Sequence, residues 1–282
     1  MQTKVIKEKI KGVGNIKKIT KTMEMVSAAK MKKAIDHALV LRPFHTEAQN
    51  ILADISVDTL VVHPLLKPNG SKTKVLIILS SNKGLCGSYN ANVYKKVVEN
   101  YAEKERGHLK VIAVGKYSEK IAKKLKLDVM ASFNGPIVNA DDARVISKMI
   151  IEKYLAKEIG VASFLYTHFT KATSFTPTHL QLLPFSSEGK PDKKGEPRYE
   201  YEPSQENVLD MIIPMMLENI LYGGFLESYA SEHSARMFAM KNATDNAGEI
   251  QKDLKLYYNR ARQSSVTQEI AEITSGAMAL TN

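Results

Sequence analysis

Apolar residues recur in steps of three and four through the last third of the chain. From Met237 the stripe runs through Met240, Ala243, Ala247, Ile250, Leu254, Tyr257 and Ala261. It then shifts phase and resumes as Val266, Ile270, Ile273, Ala277 and Leu280. Such spacing describes one narrow apolar seam on an α-helix, and no proline interrupts 218–280. At about 1.5 Å per residue, ~60 residues make a rod roughly 90 Å long. An ordinary globular helix has about 11–12 residues. A rod of that length cannot bury its seam inside its own domain, so the pattern demands a partner helix or a partner protein.

The other end of the chain has the same period. Ile6, Ile10, Val13, Ile16, Ile19, Met23 and Val26 step by three or four, and Met31, Ile35 and Ala38 continue after a shift. Lysines fill the positions between. Gly12 and Gly14 weaken the first turns, each by about 1 kcal/mol relative to alanine. Pro43 is expected to kink or restart the helix, because the residue before a proline is pushed away from helical angles. The pattern resumes through Ile51, Leu52 and Ile55 and stops before Pro64.

Between these ends the period changes. The run 74–80 (KVLIILS) is the continuous apolar segment of a strand buried on both faces. A loop, SNKGLCGSYN, leads into a helix over 91–104. A strand at 110–114, a helix at 118–125, a strand at 128–133 and a helix at 141–157 follow. Strands at 161–167 and 178–183 close the series, the last being a candidate antiparallel addition. Alternating strands and helices predict a mainly parallel sheet with helices on its faces. The stretch 186–203 (SSEGKPDKKGEPRYEYEP) turns to Gly, Pro and charge and reads as a surface loop.

The predicted architecture is therefore α/β. A Rossmann-like central domain at 72–185 is inserted between an N-terminal coiled-coil helix at 1–63 and a C-terminal one at 206–282, with a surface loop at 186–205. Packing the two end helices antiparallel buries both seams at once.

Composition changes little in this picture and charge changes more. The hydrophobic fraction is 44% and the charged fraction 25%, as in an ordinary folded protein. A lone cysteine, Cys86, allows no internal disulfide framework and fits a reducing compartment. No apolar run follows the basic first residues to make a signal peptide, and none approaches ~18 residues, so no membrane span is expected. The net charge of +10 is concentrated, with ten lysines from Lys4 to Lys33 against Glu8 and Glu24. Nucleic acid, an anionic membrane surface or an acidic protein surface would each fit such a block, as would a plain solvated face.

Candidate chemistry is sparse. Gly84-Leu85-Cys86-Gly87 lies between a strand and a helix, where phosphate loops occur, but lacks the spacing of one; a tight turn is the better reading. Gly12-Val13-Gly14 follows no strand. Cys86 beside Lys83 fits inert packing better than a reactive thiol. The seven histidines form no metal-ligand cluster. Glu232 and His233 are adjacent on a helix and do not converge as an acid–base pair. Met23, Met25, Met31, Met237 and Met240 read as core filler. No catalytic, cofactor or metal residues are assigned, and the chain is not expected to be an enzyme.

Four separated blocks carry a family resemblance. The segment Ile19-Thr20-Lys21-Thr22-Met23-Glu24-Met25-Val26-Ser27-Ala28-Ala29-Lys30-Met31 resembles the N-terminal signature of the gamma subunit of F-type ATP synthases, as does Gly84-Leu85-Cys86-Gly87. The block from Ser231 to Ala247 (SEHSARMFAMKNATDNA) matches most strongly. Tyr258 to Gln263 and Thr267 to Ile270 extend it to the end of the chain.

The resemblance implies a rotor shaft that turns inside a ring of three alpha and three beta subunits. Its α/β domain would sit at the foot, against the epsilon subunit and the c-ring. One copy per complex is implied, reaching the membrane only through the c-ring, on the cytoplasmic face of a bacterial plasma membrane. Met23 and Lys30, with Arg236 on the opposing helix, match positions contacting the ring, as do Arg262, Gln263, Thr267 and Glu269. Tyr201 matches an epsilon contact. Asn82-Lys83 departs from the family's Asp-Arg, which questions a charge pair in that loop. Gly12, Gly14, Gly223 and Gly224 are expected to meet as a torsionally soft zone. A basic coiled-coil protein binding nucleic acid is the alternative reading.

Overall fold

A computed structural model describes residues 2–57, 63–135, 139–185, 202 and 204–281. The loop expected at 186–205 lies almost wholly outside them. The chain divides into two compact units, Met1–Ser27 with Arg236–Asn282, and Ala28–Ala235. Helix α1 spans Gln2–Val57 and continues across Pro43, where a kink or restart was expected. The last helix spans Gln205–Thr281 with Pro214 inside it.

The larger unit is built on a five-stranded sheet. The strands are β1 (Lys74–Leu79), β2 (Leu109–Val114), β3 (Asp128–Phe133), β4 (Val161–Lys171) and β5 (Ser174–Leu183). Their order is β3-β2-β1-β4-β5. The first four are parallel, and β5 returns antiparallel along β4. Helices α2 (Tyr89–Asn100), α3 (Lys116–Lys124) and α4 (Ala140–Leu155) make the crossovers, and the C-terminal helix is α5. Strand β1 shows why its sequence is apolar without alternation. Val75, Ile77 and Leu79 enter one core with α4 and α5, while Leu76 and Ile78 enter a second core with α2 and α3.

The first stretch of α5 belongs to the first of these cores. Leu209, Ile213, Met216, Leu217, Leu221 and Phe225 are buried there. A window of α5 has mean hydropathy 1.3, enough by length and composition to cross a membrane, contrary to the expectation from apolar runs alone. Leu209, Ile213, Met216, Leu217, Leu221 and Phe225 of that helix face the sheet. His63 helps dock the start of the helix. Its Nδ1 accepts the Leu65 N–H, so its Nε2 carries the proton and donates to Asp210 on α5 at 2.9 Å.

Gly12 and Gly14 fall in the smaller unit, and Gly223 and Gly224 in the larger. A Cβ on Gly224 would lie 2.3 Å from Phe164 Cε1, so this glycine permits close packing of α5 on β4. Gly14 belongs to the smaller unit and faces Gln251 there, whereas Gly223 belongs to the larger and has open space beside it.

Candidate functional site

In open α/β sheets, ligands bind beyond the carboxyl ends of the strands where the strand order reverses. Here that point lies between β1 and β4, and the chain fills it with itself. Leu85 and Gly87 take positive φ (61° and 56°), turning the loop after β1 tightly. Cys86 and Tyr89 then pack against Ala235 of α5 and Phe175 of β5. Two sequence blocks about 150 residues apart, the GLCG loop and the start of the SEHSARM helix, meet at this contact.

Cys86 is buried, and its sulfur accepts a hydrogen bond from Asn90 Nδ2 at 3.3 Å. Asn82 accepts the Lys116 N–H and donates to the Gly135 carbonyl. An aspartate could not make the second bond, so the departure Asn82 serves a neutral bridge. Burial pushes the Tyr89 phenol well above its ordinary value and nearby Glu232 adds to this. The Thr167 and Ser228 hydroxyls draw it partway back, although Thr167 Oγ1 makes no well-formed hydrogen bond.

The smaller unit is an antiparallel helix pair. A Cβ on Gly14 would meet Gln251, Lys17 Nζ lies across Gly248, and the Thr244 hydroxyl donates to Thr20 Oγ1 at 2.7 Å. Ascending one helix therefore descends the other. The seam keeps a strict heptad period: Thr3, Ile6, Ile10, Val13, Lys17, Thr20, Glu24 and Ser27 on α1, with Met240, Thr244, Ala247, Gln251, Leu254, Tyr258 and Ala261 on α5, all buried or half-buried except Lys17, which is exposed. This corrects the phase read from apolar residues alone. Ile16, Ile19 (60% exposed) and Val26 lie outside the seam, as do Met25, Ile250 and Tyr257 (68% exposed). Met25 is therefore not core filler, whereas Met240 is buried and Met23, Met31 and Met237 are half-buried.

Taking that heptad, the two flanks of α1 differ. Within the smaller unit Lys4, Lys7, Lys11, Lys18 and Lys21, with Met25, line one flank, and Val5, Ile16, Ile19, Met23 and Val26, with Lys9, the other. Lys30 shares its heptad position with Ile16 and Met23. A groove of about 670 Å³ runs along the lysine flank in the smaller unit, between Lys4, Lys7, Lys11, Lys18 and Gln251.

Beyond Ala261 the pattern on α5 changes sides. Positions continuing the seam become Ser265, Gln268, Glu272 and Ser275, while Val266, Ile270, Ile273 and Ala277 fall on the outer face. These are exposed, Ile273 to 72%. The Thr267 hydroxyl donates to the Gln263 carbonyl, and Gln268 donates to Glu272, so the tip satisfies its own polar groups along one helix.

Arg262, Gln263, Thr267 and Glu269 are all exposed and flank this outer stripe. With ~100° per residue, Arg262 and Glu269 border it on one side, and Gln263 and Thr267 on the other. Met23 is half-buried and Lys30 exposed. Arg236 differs from a surface contact: it is 6% exposed and already engaged within the chain. Tyr201 lies outside the described residues. The outer apolar flank of α1 was missed by sequence reasoning, and the signal for it was the unbroken three-four spacing through Lys17, Thr20, Glu24 and Ser27.

Among the described residues no group of three His, Cys, Asp or Glu side chains is placed to hold a metal. A cleft of about 610 Å³ at the start of β1 and β4 is lined by Lys74, Lys96, Tyr101, His179 and Gln181, among others. The Tyr101 hydroxyl bonds the His179 ring at 2.9 Å.

Comparison with known proteins agrees with this geometry. A family model described as ATP synthase matches residues 2–280. The ATP synthase gamma chain of Alkaliphilus metalliredigens is 40% identical, covering 98% of this chain and 97% of its own length. That of Heliobacterium modesticaldum is 36% identical, covering 98% of each. Among solved structures, the central stalk and c-ring of Tetrahymena thermophila mitochondrial ATP synthase contains a chain 25% identical, with TM-score 0.60, covering 80% of this chain and 99% of that one. A chain of the Euglena gracilis mitochondrial ATP synthase, OSCP/F1/c-ring, shares the fold at 18% identity and TM-score 0.71, covering 99% of this chain and 94% of that one. Nothing in these matches supports the nucleic-acid reading of the lysine block. With a whole-length family match and relatives of this identity, the chain belongs to the ATP synthase gamma chain family.

Proposed function

We propose that the chain is the central rotor shaft of an F-type ATP synthase, coupling ion-driven rotation of a c-ring to successive conformational changes at catalytic beta subunits. The observation that carries the reading is the two-helix unit with unequal flanks, ending in a single helix whose apolar stripe faces outward. A coiled coil awaiting a longer partner would keep its apolar positions in the seam. This tip moves them outside, as a sleeve of surrounding subunits requires.

The mechanism is a population shift. A shaft face drives a beta subunit only if it interacts unequally with that subunit's open and closed forms. A flank of α1 dominated by lysines, and another dominated by Val5, Ile16, Ile19, Met23 and Val26, supply such inequality, because charge and apolar area select different surfaces. Lys30 and Arg262, Gln263, Thr267 and Glu269 are the exposed contacts of this reading. Arg236 contributes from the interior, by holding the helix that carries them. Tyr201 is proposed as an epsilon contact.

The chain itself makes and breaks no covalent bond in this account. The α/β unit supports it, since its ligand crevice is filled by Ala235 and Phe175 packing on Cys86 and Tyr89. The partners are three alpha and three beta subunits, epsilon and the c-ring, with one copy of this chain on the cytoplasmic face of a bacterial membrane. Domain roles follow: within 1–63 and 206–282, Met1–Ser27 and Arg236–Asn282 supply the coiled coil, 72–185 with the first stretch of α5 forms the foot, and 186–205 is its surface loop.

Reconstitution tests the reading. The chain is expected to co-purify with alpha and beta subunits and to raise their nucleotide hydrolysis. Steeply salt-dependent nucleic-acid binding by the isolated chain, without such assembly, would sink it.

A further inference from the structure

Strand β1 pairs with β4 only as far as Ile78 opposite Leu165. Beyond that point the β4 edge has lost its neighbour, and α5 takes its place. The Thr167 N–H donates to Ser228 Oγ at 2.7 Å, and Ser231 Oγ donates to the Thr167 carbonyl at 3.3 Å. One turn on, Ser234 Oγ donates to the Ala172 carbonyl in the β4–β5 turn. All three serines are buried. Because both backbone groups of Thr167 turn toward α5, its β5 neighbour Pro177 need not supply a donor, which is why a proline is tolerated there.

The face of α5 changes at the same place. Up to Phe225 the helix meets the sheet through large apolar side chains. These resist separation but are non-directional, so they fix the helix weakly against turning about its own axis. From Ser228 to Ala235 the buried face is small and largely polar. Hydrogen bonds weaken steeply away from linear geometry, so they fix an angle where apolar contacts do not.

We infer that Ser228 and Ser231, assisted by Ser234, are positioning residues that key α5 to β4 and fix the rotational phase at which the helix leaves the sheet. In a rotor this contact would set how faithfully angle passes between foot and helix, and the inference rests on the rotor reading in that respect. The spacing Ser-x-x-Ser-x-x-Ser places all three hydroxyls within one stripe of the helix.

The test uses the assembled complex with a bead on the larger unit and the ring fixed. In the Ser228→Ala/Ser231→Ala variant, the angular variance of the stalled rotor is expected to rise about twofold. Hydrogen exchange at the Thr167 amide is expected to quicken at least about tenfold. Nucleotide hydrolysis should persist, since no ring contact is touched. Unchanged angular variance in an assembled variant overturns the inference. If the double variant does not assemble, Ser231→Ala alone, which leaves the Thr167 amide paired, is read by angular variance only: a rise is expected, and an unchanged variance overturns the inference. Failure of the rotor reading is distinguishable, because then the unmodified chain would neither assemble nor rotate.

Discussion

Adding one methyl group at Gly224 and one at Gly223 should move stability in opposite directions. Both glycines sit in the interior of α5, where alanine is favoured by about 1 kcal/mol through backbone entropy alone. Nothing lies within 4 Å of a Cβ at Gly223, so Gly223→Ala is expected to stabilise by about 0.5–1 kcal/mol. At Gly224 the added carbon would lie 2.3 Å from Phe164 Cε1 and 2.9 Å from Cζ. The ring must retreat by about 1 Å to restore ordinary contact. It has nowhere to go: Phe164 is fully buried, stacked on Tyr166 with centroids 5.0 Å apart and edge-on to Phe225 at 5.9 Å. Overpacking of this kind costs about 1–3 kcal/mol, so Gly224→Ala should be destabilising despite the propensity gain. Urea unfolding of the full chain, followed by the near-ultraviolet signal of the buried aromatics, reads both variants. Equal midpoints for the two would refute the view that Gly224 is a close-approach position, and would restore flexibility as its explanation.

Further predictions concern the helix pair, the tip and pH. Thr20 and Thr244 bond across the seam, so Thr244→Val alone should cost about 0.5–1.5 kcal/mol by removing that bond, since the Thr20 hydroxyl keeps its bond to the Lys17 carbonyl. Thr20→Val/Thr244→Val together should cost less than the sum, a coupling that a thermal double-mutant cycle measures. Ending the chain after Gln263 removes no seam residue, so the melting temperature should hold while the ions pumped per nucleotide hydrolysed fall. Burial, with the charge of Lys96 adding to it, holds His179 below its ordinary value. Its neutral form is thus favoured by folding. That contribution is full above the ordinary histidine value of about 6.5 and is lost as pH falls through it toward the folded value. His179→Gln should flatten the decline of the urea midpoint over that acid range; an unaltered profile would count against it.

Strands β1 and β2 were readable from sequence because each is a short apolar run, β1 lacking alternation because it is buried on both faces, whereas the polar, proline-containing start of β5 (Ser174–Leu183) was not. The seam was harder. Ranking positions by hydrophobicity selected Ile16, Ile19 and Val26, whereas the line of the seam passes through Lys17, Thr20, Glu24 and Ser27, of which Thr20 and Ser27 are buried. A two-helix contact this close admits small and polar groups, as at Thr20–Thr244 and Lys17–Gly248, so register outweighs side-chain polarity. The same logic hid the outward turn at the tip. Ser228 and Ser231 gave no apolar signal, because their role comes from the point where β1 stops, which only the strand register reveals. Gly224 shows a related limit: sequence shows a missing side chain but not the Phe164 ring that fills the space.

The most direct measurement is rotation itself. The chain, labelled with a bead on its α/β unit, would be assembled with immobilised alpha and beta subunits and supplied with ATP. The account predicts stepwise unidirectional rotation, lost when Met1–Ser27 is deleted to remove one half of the helix pair. Hydrolysis with no rotation of the bead, or full rotation and coupling without that helix, would contradict it.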